Sequence, residues 1–284
     1  MASPRTSNES APQFPYVSAT PLTGRVAIVT GAGRHRGIGR ASALVLARMG
    51  ADVVITGTGR DPANYPDDEK EIGWRDIDSV ADQITGLGRR ALPLVVDVTD
   101  PEAVDELVAS AVSEFGRADI LVNNAAAPMG EDRAPITDVD RDAFRRVIEV
   151  KVLGSFYATQ AMARHLLKQD EGGSIVMISS VAGKKGSPNT AAYNAANFAV
   201  NGMTQSLARE LGPNGITVNA VCPGLIPTAR WGDVDWSARV ANIPARRPGT
   251  YEEVGELVGY LFTPSASYIN GQAINIDGGM VTEH

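Results

Sequence analysis

A glycine-rich turn is the first stretch of the 284-residue chain whose residue types could do chemistry. It runs from Gly31 to Gly39, follows an apolar segment at residues 25–30, and opens a helical pattern over residues 37–49. Glycine lets the backbone turn tightly and approach a pyrophosphate, which then meets the free N–H groups of the helix start. This strand–turn–helix setting favours a nucleotide site, and the alternative is a tight turn that binds nothing.

A serine and a tyrosine further along the chain could serve proton transfer to a carbonyl oxygen. Ser180 lies just after the end of a predicted strand, and Tyr193 lies at the start of a predicted helix. Reduction of a carbonyl needs a proton donor for the oxygen and a second hydrogen-bond donor that holds this oxygen as charge builds. The adjacent Ser179 points to the opposite face of the strand. The alternative for Tyr193 is a buried phenol with an ordinary partner.

Alternating strands and helices must position these groups. The predicted strands are uniformly apolar, which is typical of a parallel sheet covered on both faces. The order of elements predicts a single doubly wound α/β Rossmann fold, with a parallel seven-stranded sheet and ligands at the carboxyl ends of its strands. Strands are predicted at residues 25–30, 52–56, 91–96, 120–123, 174–178, 217–221 and 273–276, and helices at residues 37–49, 77–87, 100–115, 140–167, 191–211 and 251–261.

One domain is predicted, with a short extension before it. Residues 1–21 are rich in Ser, Pro, Thr and Ala, which predicts a flexible N-terminal extension, and residues 22–284 form the predicted domain. Residues 57–76 are polar and are predicted as an excursion from the domain, in which Asp67-Asp68-Glu69 forms a solvated turn.

Composition argues against several classes of protein. The net charge is −7 and no run of Lys and Arg occurs, so nucleic acid is not an expected partner. No apolar stretch approaches the roughly 18 residues of a membrane helix. The single cysteine, Cys222, excludes an intramolecular disulfide and predicts a reducing, cytoplasmic setting. Three dispersed histidines with no Cys/His cluster predict no metal site.

Several motifs resemble those of the short-chain dehydrogenase/reductase family over almost all of residues 22–281. The glycine-rich turn resembles the cofactor loop of that family, although five residues separate Gly31 from Gly37 where the family has three. The other matching segments are Asp97-Val98-Thr99-Asp100, Asn123-Asn124-Ala125-Ala126, Pro223-Gly224-Leu225-Ile226-Pro227-Thr228 and Ile276-Asp277-Gly278-Gly279.

The resemblance implies a dinucleotide cofactor. An acidic residue near the end of the second strand would bind the ribose 2′-hydroxyl and repel a 2′-phosphate, but no carboxylate occupies Thr56-Gly57-Thr58. Arg36 and Arg60 lie nearby and favour NADP(H), whereas Arg60 could equally pair with Asp61 or Asp67 at the surface. The implied cofactor contacts are Gly31, Arg34, Arg36, Gly37, Ile38, Gly39, Thr58, Arg60, Asp97, Val98, Asn124, Ala125, Pro223, Gly224, Ile226 and Thr228.

The resemblance also implies that Ser180 orients the carbonyl and that Tyr193 donates the proton. A tyrosine has an ordinary pKa near 10, so it needs a cation that stabilises its phenolate. The family supplies a lysine four residues after the tyrosine, where this chain has Asn197, and an asparagine in the preceding helix, where this chain has Lys151. This exchange resembles ketoreductase domains of modular polyketide synthases.

This second resemblance implies that Lys151 and Asn197 take over each other's roles. Lys151 would stabilise the phenolate and touch the nicotinamide ribose, and Asn197 would hold a relay water or the lysine. The alternative is that Lys151 reaches solvent while Asn197 bonds a backbone carbonyl, which would leave a weakened or inactive site.

These observations predict an NADP(H)-dependent oxidoreductase that reduces a small-molecule ketone of the 3-oxoacyl or aryl/β-keto type. Residues 229–247 are the implied substrate lid, whose Arg230 could meet an anionic substrate and whose Trp231 and Trp236 could line a pocket. The alternatives are an imine reductase, an NAD-dependent alcohol dehydrogenase, or a nucleotide-binding regulator. The resemblance implies a homotetramer or homodimer that assembles through the helices carrying Lys151 and Tyr193.

Overall fold

A seven-stranded, wholly parallel sheet organises the chain, whose structure is a computed structural model describing residues 20–231 and 234–282. The strand order β3-β2-β1-β4-β5-β6-β7 confirms the predicted doubly wound Rossmann fold. It reverses between β1 and β4, so a crevice opens there at the carboxyl ends of the strands. The strands are β1 (Val26–Val29), β2 (Asp52–Gly57), β3 (Ala91–Val95), β4 (Ile120–Asn123), β5 (Gly173–Ile178), β6 (Ile216–Pro223) and β7 (Ala273–Ile276).

Helices cover both faces of this sheet. Two separate cores result, because alternate residues of each buried strand face opposite sides: Val26 and Ile28 enter one core, and Ala27 and Val29 enter the other. Helices α4 to α7 pack into the first core and α1, α3 and α9 into the second. The helices are α1 (Ile38–Arg48), α2 (Asp67–Glu71), α3 (Ile77–Gly86), α4 (Pro101–Phe115), α5 (Arg141–Ile148), α6 (Gly154–Gln169), α7 (Ala191–Leu211), α8 (Trp236–Val240) and α9 (Tyr251–Tyr260).

The helix predicted over residues 140–167 is not uniform. Between α5 and α6 the chain forms one π-helical turn, Glu149–Leu153, which carries Lys151. Such turns admit one extra residue and occur frequently at functional sites. The turn therefore sets the direction in which the lysine leaves the helix.

The segment at residues 57–76 differs most from its prediction. Asp67-Asp68-Glu69 is not a solvated turn, because it begins α2 and buries the Glu69 side chain completely. Of the predicted extension at residues 1–21, only residues 20 and 21 belong to the described part of the chain. Among the described residues, no helix combines the length and apolar character that crossing a membrane requires.

Candidate active site

A cleft of about 610 Å³ lies at the carboxyl ends of the strands, where the strand order reverses. All sixteen predicted cofactor contacts line it, from Gly31 in the glycine-rich turn to Thr228 beyond β6. Three of the four predicted catalytic residues, Lys151, Ser180 and Tyr193, line it as well. Asn197 is fully buried outside the lining.

The glycine-rich turn is held closely against the end of β4. The Asn124 side-chain amide donates to the backbone oxygens of Thr30 at 2.9 Å and Gly31 at 2.8 Å. Gly31 has a φ of 67°, and a Cβ there would lie 2.8 Å from the Ala125 Cα. At Gly39 a Cβ would lie 2.5 Å from the Asn124 amide nitrogen. Side chains at these positions would force the turn away from β4.

Helix α1 presents an uncapped N-terminus to this cleft. Its N-cap residue, Gly37, makes no side-chain capping bond, and the first turn contains no acidic residue. Gly37, Ile38 and Gly39 all line the cleft. Free N–H groups and the positive end of the helix dipole suit a pyrophosphate, so this end of the cleft fits a dinucleotide.

Residues from the 57–76 segment clamp the lengthened loop. The buried Glu69 carboxylate accepts from the His35 backbone N–H at 2.8 Å and from Arg60 at 3.2 Å, and it lies 3.5 Å from Arg34. The Trp74 indole N–H donates to the Gly33 oxygen at 2.7 Å. The sequence carried no signal for this clamp, since a lone glutamate in a polar run is typical of a surface.

The arginines at this end of the cleft all face carboxylates. Arg36 pairs with Asp68 at 2.7 Å, and both side chains are about one third exposed. Arg60 reaches Asp76 at 3.3 Å in addition to Glu69. Arg60 was predicted to pair with Asp61 or Asp67 at the surface. In the structure its ion-pair partners are Glu69 and Asp76 instead.

Asp97 and Val98 lie at the neighbouring edge of the cleft, after β3. The Asp97 carboxylate accepts from the Thr99 backbone at 3.0 Å and from its hydroxyl at 2.7 Å, and Arg146 lies 3.6 Å away. Partial burial disfavours the charged form, but the bonds from Thr99 and Arg146 lower the pKa of Asp97 overall. This side chain is a fixed hydrogen-bond acceptor.

Ser180 and Tyr193 come to the cleft from different elements. Ser180 follows β5 and caps a 3₁₀ turn, its Oγ accepting from the Ala182 backbone at 3.1 Å. Its own hydroxyl hydrogen remains a donor for a ligand oxygen. Tyr193 lies in the first turn of α7. Residues 179–190 connect β5 to α7, and the end of the strand and the start of the helix bring both side chains to one cleft.

The Lys151 ammonium lies inside the cleft rather than at the surface. The residue is only 6% exposed, and its Nζ donates to the backbone oxygen of Ile178 at the end of β5. Burial, and secondarily the charge of Arg230, lowers the pKa of Lys151 to about 7. The lysine therefore does not reach solvent.

The Asn197 side chain bonds within its own helix. Its Nδ2 donates to the Tyr193 backbone oxygen at 2.8 Å, and its buried Oδ1 has no hydrogen-bond partner among the described residues. No hydrogen bond joins Asn197 to Lys151 in that part of the chain. The alternative in which Asn197 bonds a backbone carbonyl therefore holds for its Nδ2. Its Oδ1 remains an acceptor without a partner among the described residues.

The start of the predicted lid is tied to the glycine-rich turn. The Ala229 backbone N–H donates to the Arg36 oxygen at 2.9 Å. Further along, Trp231 and Trp236 pack edge to face with ring centroids 5.7 Å apart. Trp231 lines the cleft.

Arg133 is a cleft residue that the sequence did not indicate. It lies in the loop between β4 and α5 and stacks over the Tyr193 ring at 4.1 Å. The loop has no hydrophobic periodicity from which its conformation could be predicted, so the position of Arg133 became evident only in the folded structure. Across residues 20–231 and 234–282, no three His, Cys, Asp or Glu side chains gather in a way that could hold a metal ion.

Comparison with known proteins assigns this chain to a family. A family model described as enoyl-(acyl carrier protein) reductase matches residues 31–281. A 3-oxoacyl-(acyl-carrier-protein) reductase of Synechocystis sp. is 38% identical, over 92% of this chain and 99% of that protein. A cyclohexanol dehydrogenase of Rhodococcus sp. is 39% identical, over 92% of this chain and 97% of that protein. The chain belongs to the short-chain dehydrogenase/reductase family.

Solved structures agree with this assignment. A short-chain type dehydrogenase/reductase from Mycobacterium marinum matches with a TM-score of 0.81 and 33% sequence identity, covering 93% of this chain and 98% of that one. The protein is therefore an oxidoreductase of a family that uses a nicotinamide cofactor.

Proposed function

We propose that this protein reduces a small-molecule ketone to the secondary alcohol, with NADP(H) as its cofactor. The observation that carries the proposal is the meeting of Ser180, Tyr193 and Lys151 in one cleft with the glycine-rich turn. The relatives named above are a 3-oxoacyl reductase and a cyclohexanol dehydrogenase. Both names describe the interconversion of a ketone and a secondary alcohol, which supports a ketone substrate here, of the 3-oxoacyl or β-keto type in the case of the reductase.

The cleft offers a complete set of contacts for the cofactor. The uncapped start of α1 and the backbone of the glycine-rich turn would hold the diphosphate. Asp97 and Val98 would lie at the adenine, and Asn124 and Ala125 behind the central part of the molecule. The segment that would meet the nicotinamide amide comprises Pro223, Gly224, Ile226 and Thr228. The chemistry that a bound nicotinamide supplies is hydride transfer.

The chain's own residues manage the carbonyl oxygen. Ser180 donates a hydrogen bond to this oxygen, and Tyr193 gives it a proton as the carbon–oxygen double bond becomes a single bond. The Lys151 ammonium, which lines the same cleft, would stabilise the phenolate that the transfer leaves. The open Oδ1 of Asn197 would hold a water that returns a proton to Tyr193.

Support for NADP(H) comes from the arginines at the end of β2. Arg34, Arg36 and Arg60 line the cleft there, and the segment Thr56-Gly57-Thr58 at the end of β2 carries no carboxylate of its own that would repel a 2′-phosphate. The Arg36–Asp68 pair is partly exposed, so it is weak and a phosphate can replace the carboxylate. We expect a catalytic efficiency at least about tenfold higher with NADPH than with NADH, and an Arg36→Gln variant that loses most of this preference.

The deciding experiment follows NADPH consumption with cyclohexanone, a 3-oxoacyl thioester and an aryl ketone. Tyr193→Phe should lower kcat by about 10² or more while NADPH still binds. Tyr260→Phe is the matched control, because Tyr260 is an exposed residue of α9 outside the cleft. Tight NADPH binding without turnover of any ketone, and indifference to Tyr193→Phe, would instead identify a nucleotide-binding regulator.

A further inference from the structure

Two guanidinium groups converge on the ring of Tyr193 from separate parts of the chain. The Arg133 Cζ lies 4.1 Å from the ring centroid, and the Arg230 Cζ lies 5.9 Å from it. Arg133 comes from the loop after β4, and Arg230 from the beginning of the lid. Both line the cleft. Positive charge is therefore concentrated beside the proposed proton donor.

This charge is only partly compensated by the protein. Arg133 lies 3.1 Å from the buried Asp132, but its buried Nε has no well-oriented hydrogen bond in the described structure. Asp132 also accepts from the Gly130 backbone at 3.1 Å, so its charge is shared. Arg230 forms no ion pair within residues 20–231 and 234–282. Among the residues that the structure describes, two cations thus face one carboxylate, that of Asp132.

The positive charges of Arg133 and Arg230 also repel each other. Burial is the main cause that lowers the pKa of Arg230; Tyr193 raises it, and Arg133 lowers it further. An anion placed between the two groups would relieve this repulsion and would accept hydrogen bonds from both. The planar fork of each guanidinium matches a carboxylate.

The walls beside these arginines are apolar. Pro128 and Met129, a few residues before Arg133, and Trp231, next to Arg230, also line the cleft. An apolar body of the substrate would pack there while its charged end meets the arginines. A carbonyl that lies at the hydroxyls of Ser180 and Tyr193 can then be only a few bonds from the charged group.

We propose that the physiological substrate is an oxo acid, a ketone with an apolar body and a carboxylate that Arg133 and Arg230 bind together. This inference rests on the proposed ketone reduction and names the substrate class of the same site. In the reaction the ketone carbon would gain a hydride from NADPH, which becomes NADP⁺, while the oxygen gains the Tyr193 proton and the carboxylate is unchanged. The reverse reaction would act on the corresponding hydroxy acid.

The test compares 4-oxocyclohexanecarboxylate with its ethyl ester, which presents the same ketone without the charge. We expect a kcat/KM for the acid at least about tenfold higher than for the ester, mainly through KM. Arg133→Gln and Arg230→Gln should each lower the acid-to-ester ratio about tenfold or more, and Arg→Lys at the same positions should restore part of it. Arg145→Gln is the control, since Arg145 is exposed on α5 outside the cleft.

A second measurement separates failure of this inference from failure of the reductase proposal. Cyclohexanecarboxylate cannot be reduced, and its binding to the NADPH-loaded protein is measured by titration calorimetry. Turnover of the ester with no preference for the acid would overturn the oxo-acid inference and leave the reductase standing. Binding of cyclohexanecarboxylate that Arg133→Gln abolishes, without turnover of either ketone, would overturn the reductase and support the anion site. No binding and no acid preference overturn the inference.

Discussion

Lys151 combines two properties that usually exclude each other, deep burial and an ionisable amine. Its ammonium has one backbone oxygen, that of Ile178, as its hydrogen-bond acceptor in the described structure. An ammonium taken out of water is costly unless partners compensate it, which is why its pKa falls from 10.5 to about 7. A small change in surroundings, such as a bound ligand, can therefore change its protonation near neutral pH.

The stability of the cofactor-free protein should report this burial. Between about pH 7 and pH 10.5 the unfolded chain keeps a proton on Lys151 that the folded chain has lost, so folding becomes more favourable as pH rises through that range. Lys151→Met removes the effect. The free energy of unfolding of the variant minus that of the wild type should fall by roughly 2–3 kcal/mol between pH 7 and pH 9. Guanidinium unfolding of both proteins at each pH measures it, and a constant difference would contradict the assigned burial.

The exchange of lysine and asparagine can be tested by substituting Lys151 and Asn197 singly and together. Lys151→Asn should lower kcat/KM by about 10² or more, because the phenolate loses its cation. Asn197→Lys alone should also harm the enzyme, since it adds a second buried amine beside Lys151. The double variant, which restores the arrangement of the family, should recover activity relative to either single change. Losses that simply multiply would show that the two positions act independently.

At the scale of elements, α2 behaves as a support for the cofactor loop rather than as a surface decoration. Glu69→Gln leaves an acceptor for the His35 N–H but removes the charge between Arg34 and Arg60. Loss of one partner in a buried ion pair is destabilising, here by about 2 kcal/mol because both arginines are partly exposed. Thermal unfolding without cofactor should show a lower Tm for this variant. Asp67→Asn, at a 95% exposed side chain of α2, is the control and should match the wild type.

The strands were the most predictable elements, because continuous apolar runs separated by amphipathic helices admit few arrangements. The seven predicted strands are all present, and the helix predicted from residue 100 begins with Asp100 as its N-cap, whose side chain accepts from the backbone of Glu102 and Ala103. The π-turn escaped prediction, since one extra residue hardly disturbs an apolar period. The clamp by Glu69 and the stacking of Arg133 on Tyr193 depend on contacts between distant segments, which residue type and spacing do not encode.

At the scale of the whole molecule, we propose that exposed apolar side chains on the π-turn, α6 and α7 form a surface for self-association. Leu153, Phe156 and Phe198 are 39%, 42% and 47% exposed, on the π-turn and on the two helices α6 and α7. These are the segments through which the resemblance implies assembly. Apolar groups gathered on an exposed face favour burial against another copy.

Light scattering after size-exclusion chromatography should give about four times the chain mass, the tetramer that the resemblance implies. Phe156→Asp should lower this mass because it places a charge in the contact. Ile136→Asp is the matched control, since Ile136 is 75% exposed in the loop between β4 and α5 rather than on α6 or α7. A wild-type mass equal to one chain would contradict the assembly.

The bond between the Ala229 nitrogen and the Arg36 oxygen joins two main-chain atoms, so every residue except proline at position 229 can form it. Side chains beyond this point can change over generations without loosening the hold on the glycine-rich turn. The residues after Ala229 can therefore change during evolution while this backbone bond is kept. The range of accepted substrates can then change without disturbing the glycine-rich turn.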